Sequence, residues 1–360
     1  WALGQGLAGI GAADGGRLTV RTEAGAALPA DAVLLALGVR PESRLAAEAG
    51  LALGVKNSIA VNDRMQTSDP DIYAVGDAVQ ITHTVTSAPA LVSLAGPANK
   101  QGRIAADNIC GRESSYRGAC GTSVLKVFDL TVASTGVGER QARAAGLNYD
   151  RVVLSPSSHA GYYPGGKVMT VKLLFTRGDA RILGAQIVGC DGVDKRIDVL
   201  ATAMQAGLPV TALGELELAY APPFSSAKDP VNMAGYIAEN LLTGVVKQIH
   251  YDDLAALPRD GSVTLLDTRT DAEYAAGHAE GFDIHIPVDA LRGRLGELDP
   301  GKPVYVMCQS GLRSYIACRI LSQNGFDCYN FSGGYRFYRT VHEERAGSTE
   351  ALPCGKEKNQ

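Results

Sequence analysis

The chain has 360 residues, 46% of them hydrophobic and 20% charged, with a formal net charge of -4. That length suits two or three domains, and the composition is that of a folded protein rather than a disordered one. No block of like charge suggests a nucleic-acid face or a polybasic membrane patch, and no apolar run approaches the ~20 residues of a bilayer span. The first residues lack a signal peptide's charged start and apolar stretch, so a cytoplasmic location is expected, with no nucleic-acid partner.

In chain order, residues 17–23 alternate as a half-buried strand, and residues 32–37 (AVLLAL) form a continuous apolar run suited to a buried parallel strand. Gly4, Gly6 and Gly9 spell G-x-G-x-x-G, but a strand rather than a helix follows them, so the match is read as chance. Residues 72–75 predict another short strand ending at Gly76-Asp77, and residues 94–109 a helix stopped by Gly111. Between residues 118 and 244, strands at 124–128, 152–154, 168–175 and 182–188 interleave with helices near 139–145 and 195–206, which predicts an α+β domain. Residues 246–251 read as a linker. Beyond them, strand (263–266), helix (271–276), strand (304–307), helix (312–323) and strand (328–331) alternate as a small parallel α/β domain.

Seven cysteines are scattered with no Cys-x-x-Cys pair and no zinc spacing, so neither a disulfide scaffold nor a metal is expected. One of them is placed for chemistry. Cys308 lies where an apolar strand ends and a helix begins, in Cys308-Gln309-Ser310-Gly311-Leu312-Arg313-Ser314. The helix N-terminus offers free N–H groups, Gly311 allows the loop to turn more of them inward, and Arg313 adds a cation. Each favours a thiolate over a thiol, and the same cradle would hold an anionic persulfide. A plain buried core cysteine is the bland alternative, and the complete loop argues against it. Cysteine phosphatases use a longer loop between Cys and Arg, so sulfur fits this one better than phosphate. His278 reads as a turn residue rather than a base.

These features resemble the rhodanese family: Leu266-Asp267-Thr268-Arg269, Glu273-Tyr274 with Gly277-His278, the loop at Cys308, and Gly333-Gly334. The resemblance covers about residues 251–338, with Ala279 departing from the family's apolar residue after the His. It implies that Cys308 carries a persulfide. It also implies that Arg313 and the loop of Gln309, Ser310, Gly311 and Leu312 bind the persulfide's charge, while Asp267 and Arg269 brace the loop.

A second resemblance concerns residues 67–77, an extended string ending in Gly76-Asp77. A carboxylate at a strand end suits a ribityl or ribose hydroxyl, and Gly76 permits close approach of a cofactor. A mere helix cap is the plainer alternative for such an Asp. The string is similar to the second FAD fingerprint of the pyridine nucleotide-disulfide oxidoreductases, with residues 36–41 upstream of it. The family implies flavin contacts by Thr67, Asp71, Tyr73, Gly76 and Asp77. It also implies a helix beginning near Ala95 and Pro97 whose positive end faces the flavin, and a substrate role for Asn99.

The α+β domain resembles that family's dimerisation domain. Its strings at 219–230 and 159–164 are similar to those of coenzyme A-disulfide reductases and their NADH oxidase and persulfide reductase relatives. From that likeness follow a homodimer, Tyr220 and His159 at the cofactor, Lys228 on a coenzyme A phosphate, and Tyr163 lining the substrate cleft.

The expected fold is α/β and α+β multidomain. A partial NAD(P)/FAD-binding Rossmann-like domain takes residues 1–112, with its N-terminal part, the family's first FAD fingerprint and the redox cysteine expected upstream. The dimerisation domain takes 118–245, the rhodanese domain 250–340, and a disordered tail 341–360. The expected activity is reduction of a coenzyme A disulfide, persulfide or polysulfide by NADH or NADPH through FAD, with sulfur delivered by Cys308. Two alternatives stand beside it, an NADH oxidase-like flavoprotein and a scaffold whose rhodanese module alone acts on or binds sulfur.

Overall fold

A computed structural model describes Ala2 and residues 4–345 of the chain. The N-terminal region opens with an antiparallel three-stranded sheet, β1 (Leu7–Ala12), β2 (Leu18–Thr22) and β3 (Ala27–Ala30). Gly9 sits inside β1, so no glycine-rich turn or helix forms there. Helix α1 (Arg44–Glu48), the short pair β4 (Ile81–Thr82) and β5 (Pro89–Ala90), and helix α2 (Ala95–Ile109) follow.

Two expected strands are absent. The run at 32–37 has no partner strand and leaves Leu34 92% exposed, and residues 72–75 form only an isolated bridge between Gln66 and Tyr73. A strand exists by its ladder of hydrogen bonds, and apolar sequence alone does not supply the neighbour.

The second region is a five-stranded antiparallel sheet in the order β6-β7-β10-β9-β8. Its strands are β6 (Ser123–Val127), β7 (Leu130–Gly136), β8 (Asp150–Leu154), β9 (Thr170–Phe175) and β10 (Ile182–Gly189). Helix α3 (Glu139–Ala144) follows β7, while α4 (Val193–Gln205) and α5 (Pro230–Leu242) join the core. Asp229 caps α5 with Pro230 behind it, the arrangement that satisfies a first-turn N–H and pre-sets the helical φ.

The third region is a five-stranded parallel sheet in the order β11-β15-β14-β12-β13. It comprises β11 (Lys247–Ile249), β12 (Thr264–Asp267), β13 (Ile284–His285), β14 (Val304–Met307) and β15 (Cys328–Phe331). Helices α6 (Asp271–Ala275), α7 (Leu312–Gln323) and α8 (Gly334–Arg345) complete it.

Two boundaries differ from expectation. The supposed linker contributes β11, which pairs with β15, and α8 extends through residues assigned to a disordered tail. The rest of that tail, 346–360, lies outside the described residues.

The second and third regions share one continuous apolar core running from Val152 and Leu173 to Val306 and Leu321. The Ser332 hydroxyl links them further, accepting from Val153 N–H at 3.0 Å and donating to Val153 C=O at 3.3 Å. This shared core fixes the position of the Cys308 loop relative to the antiparallel sheet.

Candidate functional site

β14 is the central strand of the parallel sheet, and Cys308 follows its last residue. Gly311, at φ 100°, turns the chain into α7 through a conformation that disfavours a side chain. Gly334 is needed for a different reason. A Cβ there would lie 2.6 Å from Ser310 N and 2.7 Å from Cys308 O, so only hydrogen fits against the loop. That approach lets Tyr335 N–H donate to Cys308 C=O at 2.7 Å and Arg336 N–H to Gln309 C=O at 3.1 Å. With those carbonyls held outward by α8, loop N–H groups are left for the sulfur. Gly311 N–H donates to Cys308 Sγ at 3.1 Å, and the buried Ser314 hydroxyl donates to it at 3.2 Å. Among the expected loop residues, Gln309, Ser310 and Gly311 are half-buried and Leu312 is exposed.

Asp267 and Arg269 form a wholly buried pair, with Arg269 Nη2 on Asp267 Oδ2 at 2.7 Å and Nε on the same oxygen at 2.9 Å. Arg269 also donates to Glu273 C=O and Gly277 C=O and lies 4.0 Å from the centre of the Tyr335 ring. It therefore ties β12, α6 and α8 together. Thr268, N–H and hydroxyl both, donates to Met307 C=O and fixes the residue before Cys308.

Arg313 turns to Glu273, with both terminal nitrogens on its carboxylate oxygens at 2.7 Å. This bidentate pair holds the Glu273 carboxyl at about 2, well below its ordinary value. Direct donors to the sulfur are thus a backbone amide and a hydroxyl, while the Arg313 guanidinium is engaged by the Glu273 carboxylate. Ser314 belongs to the motif, but its role emerges only from the fold. Among the described residues no cluster of His, Cys, Asp and Glu could hold a metal ion.

On the N-terminal side, Asp77 lies exposed in a single turn, Gly76–Ala78, and Gly76 N–H donates to the buried Gln101 Oε1 at 2.7 Å. Gln101 projects from α2, whose N-terminus at Leu94 and Ala95 carries no side-chain cap. The Gly-Asp turn is therefore tied to the body of α2 by a residue that the motif did not indicate. Thr67 and Asp71 hold their own turn, through Thr67 hydroxyl to Asp69 C=O and Asp71 N–H to Asp69 Oδ1. Tyr73 and Pro97 are half-buried, while Ala95 and Asn99 are exposed. These residues fit one wall of a flavin site. An exposed carboxylate suits a sugar hydroxyl, uncapped amides suit an electron-rich ring edge, and no atom lies within 4 Å of a Cβ built on Gly76.

In the second region two loops meet. Tyr162 and Tyr220, both exposed, bring their hydroxyls within 3.0 Å, and this hydrogen bond raises the Tyr220 phenol above its ordinary value. The meeting is arranged from beneath by Arg196, which donates to Asp229 Oδ2 at 2.9 Å and to Ser158 C=O at 2.8 Å; Ser225 hydroxyl donates to the same carboxylate at 2.7 Å. One buried ion pair thus binds the loop of Ser158 to that of Ser225. His159 is buried, shares a hydrogen bond with Ala160 C=O and meets the Tyr163 ring edge-on at 5.7 Å. Lys228 lies elsewhere, lining a cavity beside Ser310 and Gly311.

Comparison with known proteins follows the same three regions. The pyridine nucleotide-disulphide oxidoreductase model matches residues 3–102, the dimerisation domain of that family matches 122–230, and the rhodanese-like domain matches 250–339. A coenzyme A disulfide reductase of Staphylococcus haemolyticus is 38% identical over 212 residues, 59% of this chain and 48% of that protein. Among solved structures, reduced Bacillus anthracis CoADR-RHD is 47% identical with a TM-score of 0.87, over 91% of this chain and 58% of that one. An NAD-dependent persulfide reductase from A. fulgidus is 39% identical with a TM-score of 0.84, over 93% and 61%. The chain spans about half the length of the curated relatives it matches. It carries pyridine nucleotide-disulphide oxidoreductase domains, the dimerisation domain included, followed by a C-terminal rhodanese-like domain.

Proposed function

We propose that the protein to which this chain belongs is an FAD-dependent NAD(P)H oxidoreductase acting on coenzyme A disulfide, coenzyme A persulfide or polysulfide, with sulfane sulfur delivered through a persulfide on Cys308. The observation that carries the proposal is the Cys308 sulfur itself, buried and held by an amide at 3.1 Å and a hydroxyl at 3.2 Å at the carboxyl end of a central parallel strand. Such neutral donors can hydrogen-bond a sulfur anion while keeping their own protons, which suits a nucleophilic and leaving thiolate. The names of the relatives, a coenzyme A disulfide reductase and an NAD-dependent persulfide reductase, support the substrate class.

Bound FAD would supply the electron relay between nicotinamide and sulfur. On this chain Asp77 would hold a flavin sugar hydroxyl, and the N-terminus of α2 would face the ring. Tyr220, with Tyr162 bonded to it, would donate a hydrogen bond to a sulfur anion at the partner's site, since the dimerisation domain implies a homodimer. Lys228 would bind a phosphate of coenzyme A, while His159 and Tyr163 would line the cleft.

The test is persulfide formation. The purified chain is treated with thiosulfate or a low-molecular-weight persulfide, desalted, alkylated and mapped by mass spectrometry. An added sulfur atom on Cys308, absent in Cys308→Ser, supports the reading. Added sulfur on other cysteines only, or on none, refutes it.

A further inference from the structure

Arg269 and Arg313, the two cations that the sequence placed at the Cys308 loop, are each already committed to a carboxylate. Arg269 is closed on Asp267 inside the fold, and both terminal nitrogens of Arg313 rest on Glu273 at 2.7 Å. Glu273 does not depend on Arg313 for its position. Its Oε2 accepts the Thr270 N–H and the Thr270 hydroxyl, each at 3.0 Å, in the capping box that opens α6, and its carbonyl accepts Arg269 Nη1 at 3.1 Å. A carboxylate anchored in this way meets the planar guanidinium through two parallel bonds, the arrangement in which arginine holds an anion most firmly. An incoming anion has to displace Glu273 to reach those nitrogens.

The direct donors to the sulfur are neutral, Gly311 N–H at 3.1 Å and the Ser314 hydroxyl at 3.2 Å. They suit the single charge of a thiolate or a persulfide. A sulfur donor that brings two further negative charges against that thiolate is repelled, and neither arginine is free to offset the repulsion.

We propose that Glu273 sets the donor specificity of Cys308: by occupying Arg313 it turns the loop against dianionic donors such as thiosulfate and toward sulfane sulfur carried with one negative charge or none, the class of organic persulfides. The inference rests on the reading that Cys308 carries a persulfide, and it names the donor class for that site. Glu273 is a positioning residue, acting through Arg313 rather than on the sulfur. With thiosulfate, the Cys308 thiolate bonds to the outer sulfur, the bond to the sulfonyl sulfur breaks, and its electron pair leaves with sulfite. Methanethiosulfonate, which has a methyl group in place of one charged oxygen, reacts alike and expels methanesulfinate. An organic persulfide delivers its outer sulfur in the same way and leaves as a thiolate. Each transfer gives the Cys308 persulfide with charge conserved and no oxidant or reductant consumed.

The experiment measures sulfur transfer to saturating cyanide from thiosulfate and from methanethiosulfonate, two donors of the same shape that differ by one charge. Wild type is compared with Glu273→Gln, which keeps the capping box and removes the charge, and with the double variant Glu273→Gln/Arg313→Met. Lys228, which lines the cavity beside Ser310 and Gly311, stays native throughout and so cannot produce a difference between them. In Glu273→Gln the kcat/KM ratio of thiosulfate to methanethiosulfonate should rise about tenfold, the size of one charge-assisted hydrogen bond, and the rise should lie in KM. The double variant exchanges one neutral pair for another, so its ratio should stay within about twofold of wild type. An unchanged or lowered ratio in Glu273→Gln, including an equal loss with both donors, makes Glu273 a structural support only and overturns the proposal. A selective loss of thiosulfate in the double variant shows Arg313 serving the dianion in the wild type and overturns it as well. Failure of folded wild type to transfer from either donor or from an organic persulfide overturns instead the persulfide reading beneath it, and the proposal with it.

Discussion

Replacing Asp229 by Ala removes the centre of the bracket that holds the two tyrosine loops. In the native chain Arg196 and Asp229 are both 2% exposed, joined through Arg196 Nε at 3.1 Å and Nη2 at 2.9 Å. Asp229 also accepts Val231 N–H at 3.0 Å as the cap of α5. Burial alone would raise the Asp229 carboxyl, but the bonds from Val231, Arg196 and Ser225 outweigh it and hold it below its ordinary value. Taking away one member of a buried pair leaves an uncompensated charge, costing about 3–5 kcal/mol, and a lost N-cap costs about 1 kcal/mol. The two losses share one side chain and do not simply add. For a region of this size the total corresponds to a midpoint lowered by roughly 10 °C. The assay is calorimetry of wild type, Asp229→Ala, Asp229→Asn and an exposed control, Glu297→Gln, whose partner Arg294 is solvated. Asp229→Asn keeps the cap and the shape and should fall between wild type and Asp229→Ala. The control should leave the midpoint essentially where it is in wild type. If Asp229→Ala moves the midpoint no more than Glu297→Gln does, the claim that this pair organises the loops is refuted.

Other consequences follow from the sulfur-bearing domain. Ser314→Ala should slow thiosulfate:cyanide transfer roughly tenfold, the loss of about 1.5 kcal/mol from one hydrogen bond to a charged sulfur, while Ser314→Thr restores part of it. Glu273→Gln should reduce stability near neutral pH by about 1 kcal/mol, since the Arg313 pair is partly solvated. Because the folded Glu273 carboxyl is depressed to about 2, that contribution is present above the unfolded value near 4.5 and fades as pH falls toward 2, so wild type and variant should converge in denaturant titrations at acid pH. His250 is lowered to about 4 by burial first and then by the Arg151 cation. The unfolded imidazole takes a proton below about 6.5 while the folded one does not, so stability should fall between pH 6.5 and 4, and His250→Gln should flatten that slope. Proton NMR should show the native imidazole neutral at pH 5.

Much of the Cys308 site was legible because local signals agreed. A continuous apolar strand, a glycine at the turn and a helix starting at Leu312 all lie within a dozen residues, and β14, α7 and β15 fall where periodicity predicts. What escaped was set by distance in sequence. Arg313 and Glu273 stand 40 positions apart, Arg196 and Asp229 stand 33 apart, and no pattern pairs them before the chain folds. The role of Tyr162 rather than its neighbour in meeting Tyr220 depends on loop conformation, which adjacent identical residues do not reveal. β11 escaped because a three-residue edge strand containing Lys and Gln looks like a linker. The run at 32–37 erred the other way, since its apolar character describes an environment rather than a partner.

Cyanide-dependent formation of thiocyanate from thiosulfate, measured on the purified chain beside Cys308→Ala, tests the central claim most directly. Turnover is expected in the wild type and none above background in the variant, with both proteins giving the same far-UV circular dichroism. Equal turnover in the two would place sulfur transfer elsewhere, and a folded wild type inactive with thiosulfate and with a persulfide donor would contradict the assignment of this loop to sulfur chemistry.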